Sequence, residues 1–347
     1  CQKVTVSRRD LFENPGPVSS NTNVSLTTSL GSGLSFFASQ SNCEANSGST
    51  SSVTMLATQA TRDFYVRAIV AGTSAVQATV GAFSATATLT VSPAAVAKYV
   101  FVNLPANRSA NQCTGAVQVQ RRDQFDNNVV DGNTSVTISS TGTMSFTTSS
   151  DCGGASSGTA IVAIPNGSSL SATFSAKSIV PGTYTFSASD GSKSGTATMT
   201  VQPGSPAKLS ILGTGSTTRV AECKTASGIE VELRDAFDNP VAPGGSGLSV
   251  TLSASSGAAF YAGGNCGGSS LSSISIASTA TKAAFSFRAN VVTASLAITA
   301  SSGGLSPGNQ TWQVLPGDPS KLAFLSTPPS TLARPPWPTP SSRSREA

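Results

Sequence analysis

Residues 121–128 read RRDQFDNN. Residues 8–15 read RRDLFENP, and residues 233–240 read LRDAFDNP. The pairs Arg9-Asp10, Arg122-Asp123 and Arg234-Asp235 follow one another at almost equal steps. A catalytic constellation has little need of three copies. A structural turn has, if one small domain is repeated, and a long internal period is read before any single element.

Two further markers keep the same period. Cys1 with Cys43, Cys113 with Cys152, and Cys223 with Cys266 form three pairs of closely similar spacing. VSPAAVAKYVF begins at Val91, VQPGSPAKLSI at Val201 and VLPGDPSKLAF at Val314. Each of these reads as a last strand, a proline-bearing joint, and a first strand opened by Lys98, Lys208 or Lys321. The joints divide the chain into 1–93, 94–203, 204–316 and 317–347. The first domain starts at the first cysteine of its pair, so it is expected to lack an opening strand. The last begins a further copy at KLAFLSTPPST and then breaks into ARPPWPTPSSRSREA, where dense proline rules out a continuing strand.

The second copy shows the element pattern best. KYVFVNL, GAVQVQRRD, TSVTISS, TMSFTTS, TAIVAI, LSATFSAKS, GTYTFSASD and GTATMTVQ are short alternating runs separated by turn residues. Alternation puts Val117 with Val119, Val136 with Ile138, and Tyr184 with Phe186 on shared faces. No long stretch holds a 3.6-residue period. The expected fold class is all-β, a series of two-sheet sandwiches rather than a parallel α/β sheet. The repeats are far too long for a β-helix.

RDLFENPGP, RDQFDNNVV and RDAFDNPVA are each followed by a short strand, VSL, VTI or VTL. In this the chain resembles tandem bacterial immunoglobulin-like domains of the invasin/intimin type. There a variant of Asp-x-x-Gly-Asn-Pro-Val connects two early strands. This sequence departs from that pattern by an aromatic-acidic pair, such as Phe125-Asp126, before the Asn. The resemblance covers most of residues 1–316. It implies stalks or adhesive arms of surface proteins, with a surface protein or glycan as the kind of partner.

The residues themselves offer two readings of the turn. In the first, Asn14, Asn127 and Asn239 make the turn, since Asn bonds to nearby backbone and tolerates left-handed conformations. Phe12, Phe125 and Phe237 then cover one end of each sandwich, and Arg9, Arg122 and Arg234 pair with an acid or with loop carbonyls. In the second, Asp123, Asp126 and Asn127, with Asp235, Asp238 and Asn239 and with Asp10, Glu13 and Asn14, hold calcium at the domain junctions. Calcium wants six to eight oxygens, and the chain has only 16 acids in all. The turn is the favoured reading, and no cofactor is expected.

Composition narrows the rest. The 347 residues carry a net charge of +5 with scattered bases, several of them in the tail (Arg334, Arg343, Arg345), so no basic stripe marks a nucleic-acid partner. No apolar run is long enough to insert in a membrane. There is no His, which removes Ser-His-Asp and Cys-His catalysis and the usual zinc sites. SPAK at Ser205 matches a Ser-x-x-Lys pair, but its counterparts at the other joints are Ala95 and Asp318. Asn23, Asn107, Asn133, Asn166 and Asn309 open N-x-[ST] triplets, as chance gives in so Ser/Thr-rich a chain. The expected role is a non-catalytic extracellular or cell-surface stalk or adhesion region of a larger protein. The alternative is a carbohydrate- or protein-binding accessory region of a secreted enzyme. Two Trp, with Trp337 in the tail, and four Tyr are too few for an aromatic sugar platform in each domain.

The cysteine repeat predicts Cys1–Cys43, Cys113–Cys152 and Cys223–Cys266 as bridges within domains, and an oxidising, extracellular setting. Each closes a loop that contributes roughly 4 kcal/mol through the unfolded state. Peptide mapping without reduction should recover these three pairs. A bridge between domains would overturn both the pairing and the domain division.

Overall fold

The computed structural model describes residues 1–17, 19–213, 217–225 and 229–325. The proline-rich tail, with Trp337 and its arginines, lies outside the described residues. The chain separates into two compact units, one of residues 1–206 with 234–241 and one of residues 207–233 with 242–347.

The first unit holds two sandwiches. In the first, the strands are β1 (Gln2–Ser7), β2 (Thr22–Thr28), β3 (Leu34–Phe37), β4 (Ser49–Thr50), β5 (Ser52–Met55), β6 (Thr61–Ala68), β7 (Gly72–Val80) and β8 (Phe83–Val91). They form two antiparallel sheets in the orders β1-β6-β3-β4 and β5-β2-β7-β8. Val24, Leu26, Val53, Met55, Phe64 and Val66 fill the space between them. A five-residue helix, Gln40–Glu44, is capped by the Ser39 side chain accepting from Asn42 N and carries Cys43 to Cys1.

The second sandwich uses β9 (Lys98–Val102), β10 (Asn107–Ser109), β11 (Gln118–Arg122), β12 (Thr134–Ser140), β13 (Ser145–Thr147), β14 (Ala160–Ile164), β15 (Ser175–Lys177), β16 (Gly182–Ser189) and β17 (Ser194–Gln202). One sheet runs β10-β17-β16-β12-β14; the facing layer is built from the pairs β11-β9 and β13-β15. Val117, Val119, Val136, Ile138, Tyr184 and Phe186 all point into the core, as alternation requires. Phe101, Phe146, Phe174 and Phe186 interlock mostly edge to face, the arrangement that ring quadrupoles favour. Cys113 is bonded to Cys152.

LSATFSAKS is a strand only at its end. Ser171 N bonds to Val119 O of β11, and the next residue, Ala172, bonds to Ala163 O of β14. The segment passes from one sheet to the other, and a chain that changes partner at each residue makes no ladder.

The second unit is a sandwich of the same kind. One sheet orders the strands 208–212, 230–234, 282–289 and 223–224, with 258–262 also on 282–289; the other orders 217–219, 308–315, 293–301, 248–254 and 273–276. Phe260 with Phe285, and Phe287 with Trp312, pack edge to face inside it. Cys223 is bonded to Cys266. The architecture throughout is all-β and immunoglobulin-like.

The first strand of the second sandwich is seated closely. Tyr99 is 3% exposed and donates its hydroxyl proton to Asp190 Oδ2 at 2.7 Å. Gly195 of β17 lies against the Tyr99 carbonyl, where any Cβ would collide. The strand expected at Lys321 is absent: residues 321–325 are irregular and fully exposed, with no sheet beside them among the described residues.

One core residue is a cation. Arg121 is fully buried. Its guanidinium donates to the carbonyls of Val129, Val130, Gly132, Pro165 and Ser168 at 2.8–3.2 Å and to Thr134 Oγ1. It gathers two loops at the end of the sandwich by their backbone oxygens. Arg8 holds Met55 O and Leu56 O in the same way in the first sandwich, whereas the corresponding Leu233 is simply buried in the apolar core. Arg121→Ala strands several buried carbonyls at once and should cost about 3–5 kcal/mol. Hydrogen exchange at Val119 and Ile138 will read the loss, and Arg121→Lys, lacking the planar fork, should restore little of it.

Candidate functional site

The repeated turn begins where β11 ends. Asp123 is fully buried. Its Oδ1 accepts from Phe125 N at 2.8 Å and Asn127 N at 2.9 Å, and its Oδ2 from Asn127 Nδ2 at 2.8 Å and Ala94 N at 2.9 Å. The first three donors close the turn on itself. The fourth belongs to the joint between the first and second sandwiches.

Asn127 reaches further. Its Nδ2 also donates to Ile69 O at 2.9 Å, and its Oδ1 accepts from Ala71 N at 2.8 Å. Ile69 and Ala71 lie in the loop between β6 and β7 of the first sandwich. Gly72 closes that loop at φ +140°, a conformation that L side chains avoid. Phe125 lines a recess with Cys1, Arg67 and Leu89 at the end of the first sandwich. One Asp and one Asn thus tie the second sandwich to the linker before it and to the loop of its neighbour.

The same arrangement recurs in the first unit at residues 234–241. Asp235, also fully buried, accepts from Phe237 N, Asn239 N, Asn239 Nδ2 and Gly204 N at 2.8–2.9 Å. Asn239 Nδ2 donates to Ile179 O at 2.7 Å. In the first copy Asp10 accepts from Phe12 N, Asn14 N and Asn14 Nδ2 only, and Leu11 and Phe12 stand 92% and 80% exposed.

Two details of the sequence reading change. The left-handed residue is the acid before each Asn: Glu13, Asp126 and Asp238 have φ of 68°, 69° and 68°. The Asn can bridge because its acidic neighbour takes the strained position. The aromatics do not close the ends of their own sandwiches either. Phe12, Phe125 and Phe237 are 80%, 41% and 36% exposed, and Phe125 lines the recess at the end of the first sandwich rather than covering its own core.

The acids named as possible calcium ligands serve different partners. Asp126 Oδ1 pairs with Lys98 Nζ at 2.8 Å and Arg122 at 3.6 Å, and Asp238 with Arg234 at 3.7 Å. Asp123 and Asp235 are surrounded by N–H donors, the opposite of what a cation needs. Burial pushes both carboxyls up, but the donors from Asn127 and Ala94, or from Asn239 and Gly204, outweigh it and hold them below the usual carboxylate range. Among the described residues no three His, Cys, Asp or Glu converge on one point.

Sequence reasoning found the turn and missed what it grips. A signal was there: Ile69-Val70-Ala71-Gly72 and Ile179-Val180-Pro181-Gly182 repeat with nearly the period of the turn motif, and both are the gripped loops.

No protein-family model and no curated protein matches this chain. Solved structures similar to it include FdeC, an Escherichia coli adhesin, at 16% identity, covering 90% of this chain and 91% of that one with a TM-score of 0.38. InvD of Yersinia pseudotuberculosis is similar at 13% identity over 90% and 91%, with a TM-score of 0.36. Invasin, a bacterial integrin-binding protein, is similar at 14% identity over 90% and 56%, with a TM-score of 0.35. The fold itself rests on the sheets and registers described above.

The junction predicts a pH signature. A carboxyl held below its unfolded value of about 3.9 stabilises the fold fully above that pH, and the stabilisation is lost as pH falls through the folded value. Asp123→Asn should therefore flatten the acid limb of the stability curve below about pH 4 while lowering stability at neutral pH. Asn127→Ala should cost about 2–4 kcal/mol through unpaired buried groups. Neither chelator nor millimolar Ca2+ should move the unfolding midpoint; a saturable rise with Ca2+ that Asp123→Asn with Asp126→Asn abolishes would restore the calcium reading.

Proposed function

We propose that this chain is a non-catalytic stalk segment of a larger surface or secreted protein, acting outside the cell. Its domains, divided at 93, 203 and 316, space and present another module, and adhesion to a surface protein or glycan is the activity they serve. The observation that carries this reading is the buried Asp–Asn junction. Asp123 and Asn127 commit their hydrogen-bonding capacity to the linker at Ala94 and to the neighbouring loop at Ile69 and Ala71. Groups committed in this way hold one domain to the next and leave nothing for a substrate.

Two further observations support it. The disulfides suit an oxidising exterior. The chain has no His for the common hydrolytic sites. Separately, no helix among the described residues is long and apolar enough to cross a membrane.

A display experiment tests the proposal. The intact chain, fused between a cell-surface anchor and an epitope tag, should give antibody access to the tag through a coat of long glycans. Asp123→Ala with Asn127→Ala should reduce that access severalfold at unchanged surface amounts. Saturable capture of a soluble glycan or protein by beads bearing this chain alone would overturn the spacer reading in favour of direct adhesion.

A further inference from the structure

In the second sandwich the strands that open and close the domain lie side by side and run the same way. The Tyr99 carbonyl, near the start of β9, lies against Gly195 at the start of β17. β10 then pairs parallel with the end of β17: Asn107 faces Thr200, Arg108 faces Val201 and Ser109 faces Gln202. Thr200 N donates to Ala106 O at 3.0 Å, and Ala110 N donates to Gln202 O at 2.7 Å. Among the described residues, the other strand pairs of this sandwich are antiparallel.

The second unit repeats the arrangement. The Leu209 carbonyl lies against Gly308. Residues 217–219 pair parallel with the end of 308–315, Thr217 facing Gln313 and Arg219 facing Leu315. Val220 N donates to Leu315 O at 2.9 Å, and Arg219 Nη1 donates to Pro316 O at 3.0 Å.

Direction matters for such a pair. Tension on the chain draws the entering strand back and the leaving strand forward, so the two slide along each other. Their hydrogen bonds run between the strands, across the pull. All are strained together, and none fails without the rest. A strand peeled from one end loses its bonds one at a time and needs less force. Resistance to a pull is set by the unfolding rate along that direction and not by equilibrium stability.

The disulfide stands directly behind this pair. Cys113 follows β10 and is bonded to Cys152, 39 residues on; Cys223 follows 217–219 and is bonded to Cys266, 43 residues on. A chain drawn out from its N-terminal side as far as Cys113 passes the pull through the sulfur bridge to Cys152. The segment between carries no tension. Asp123 and Asn127 lie in it, and Asp235 and Asn239 lie likewise between Cys223 and Cys266.

We propose that these two sandwiches bear tension along the chain. The parallel terminal strands are the clamp that sets the rupture force, and the disulfide is a stop that keeps the gripping turn out of the pull. The inference deepens the stalk reading and rests on it for one premise, that force enters through the chain ends.

Optical tweezers on the full chain test it, with handles at the two termini. A second attachment, at the N-terminus and at Lys193 in the β16–β17 hairpin, changes only the direction. The hairpin lies beside the entering strand, where Tyr99 bonds to Asp190, so this pull peels β9 away instead of sliding it. The second sandwich should then rupture at about half the force. In the end-to-end pull Ala110→Pro, which removes the donor to Gln202 O, should lower the rupture force of that sandwich by a similar factor. Val162→Ala, in β14 at the far edge of the sheet, should lower the thermal midpoint and leave the rupture force unchanged. A reductant should lengthen the two release steps by about 14 and 15 nm, at about 3.5 Å per residue. Equal forces in the two directions, or a rupture force that tracks the thermal midpoint across the variants, overturns the clamp. The direction test needs no substitution in the clamp, so it decides even where Ala110→Pro does not fold. Release steps indifferent to reductant overturn the stop. The tweezers supply the tension themselves, so a failed clamp leaves the display result standing, and a failed display leaves the clamp.

Discussion

The carboxylate of Asp123 accepts four N–H donors, and those donors come from its own turn, from the bridging Asn127 and from the linker at Ala94. A buried carboxylate that is fully hydrogen-bonded is stable, whereas one left short of donors is costly. The turn, the linker and the neighbouring loop therefore have to be in place together. Leaving out any of them exposes the charge to an apolar surrounding. This mutual dependence explains why the motif recurs at Asp235 with the same donors and nearly the same distances. It also explains why the motif tolerates change elsewhere: residue 124 is Gln where residue 236 is Ala, and neither takes part.

The strain in the turn falls on a different residue from the bonding. Glu13, Asp126 and Asp238 take the left-handed conformation, and their side chains point to nearby cations. A non-glycine residue at positive φ costs free energy. An Asp or Glu there offsets some of it by ion pairing at the surface, though exposed pairs contribute little. Asn127 keeps an ordinary negative φ, and its side-chain amide serves Asp123, Ile69 and Ala71 together. The division of labour gives the order acid-then-Asn its physical sense.

The cores follow a similar economy. Many positions are Ser, Thr and Ala, so each sandwich relies on a small set of Phe rings and on one disulfide that closes a long loop. Arg121 adds a polar means to the same end, gathering loop carbonyls that no apolar side chain satisfies. The second unit reaches a comparable core with Leu233 at that place and with Trp312 on Phe287. The backbone oxygens that Arg121 satisfies thus belong to the loop conformations of its own sandwich and are not a requirement of the fold.

The sequence by itself determined the fold class, the strand alternation and the repeat, because each depends on a period readable along the chain: the two-residue alternation of a strand, and the steady return of the Arg-Asp turn. Val119, Ile138 and Phe186 face inward for that reason alone. It also placed Asp123 and Asn127 in a turn, since they lie close together in sequence and bond to each other there. Tertiary structure decided the rest. That Asn127 grips Ile69, 58 residues earlier, follows from how two sandwiches abut, and no local pattern encodes such a distance. The buried state of Arg121 beside the half-exposed Arg122 follows from which face of β11 meets the core, so two adjacent and identical residues have opposite fates. KLAFL at Lys321 shows the limit most plainly. It has the pattern of a first strand, yet among the described residues 321–325 are irregular and pair with no sheet; an alternating pattern says which side chains share a face and not which edge receives them.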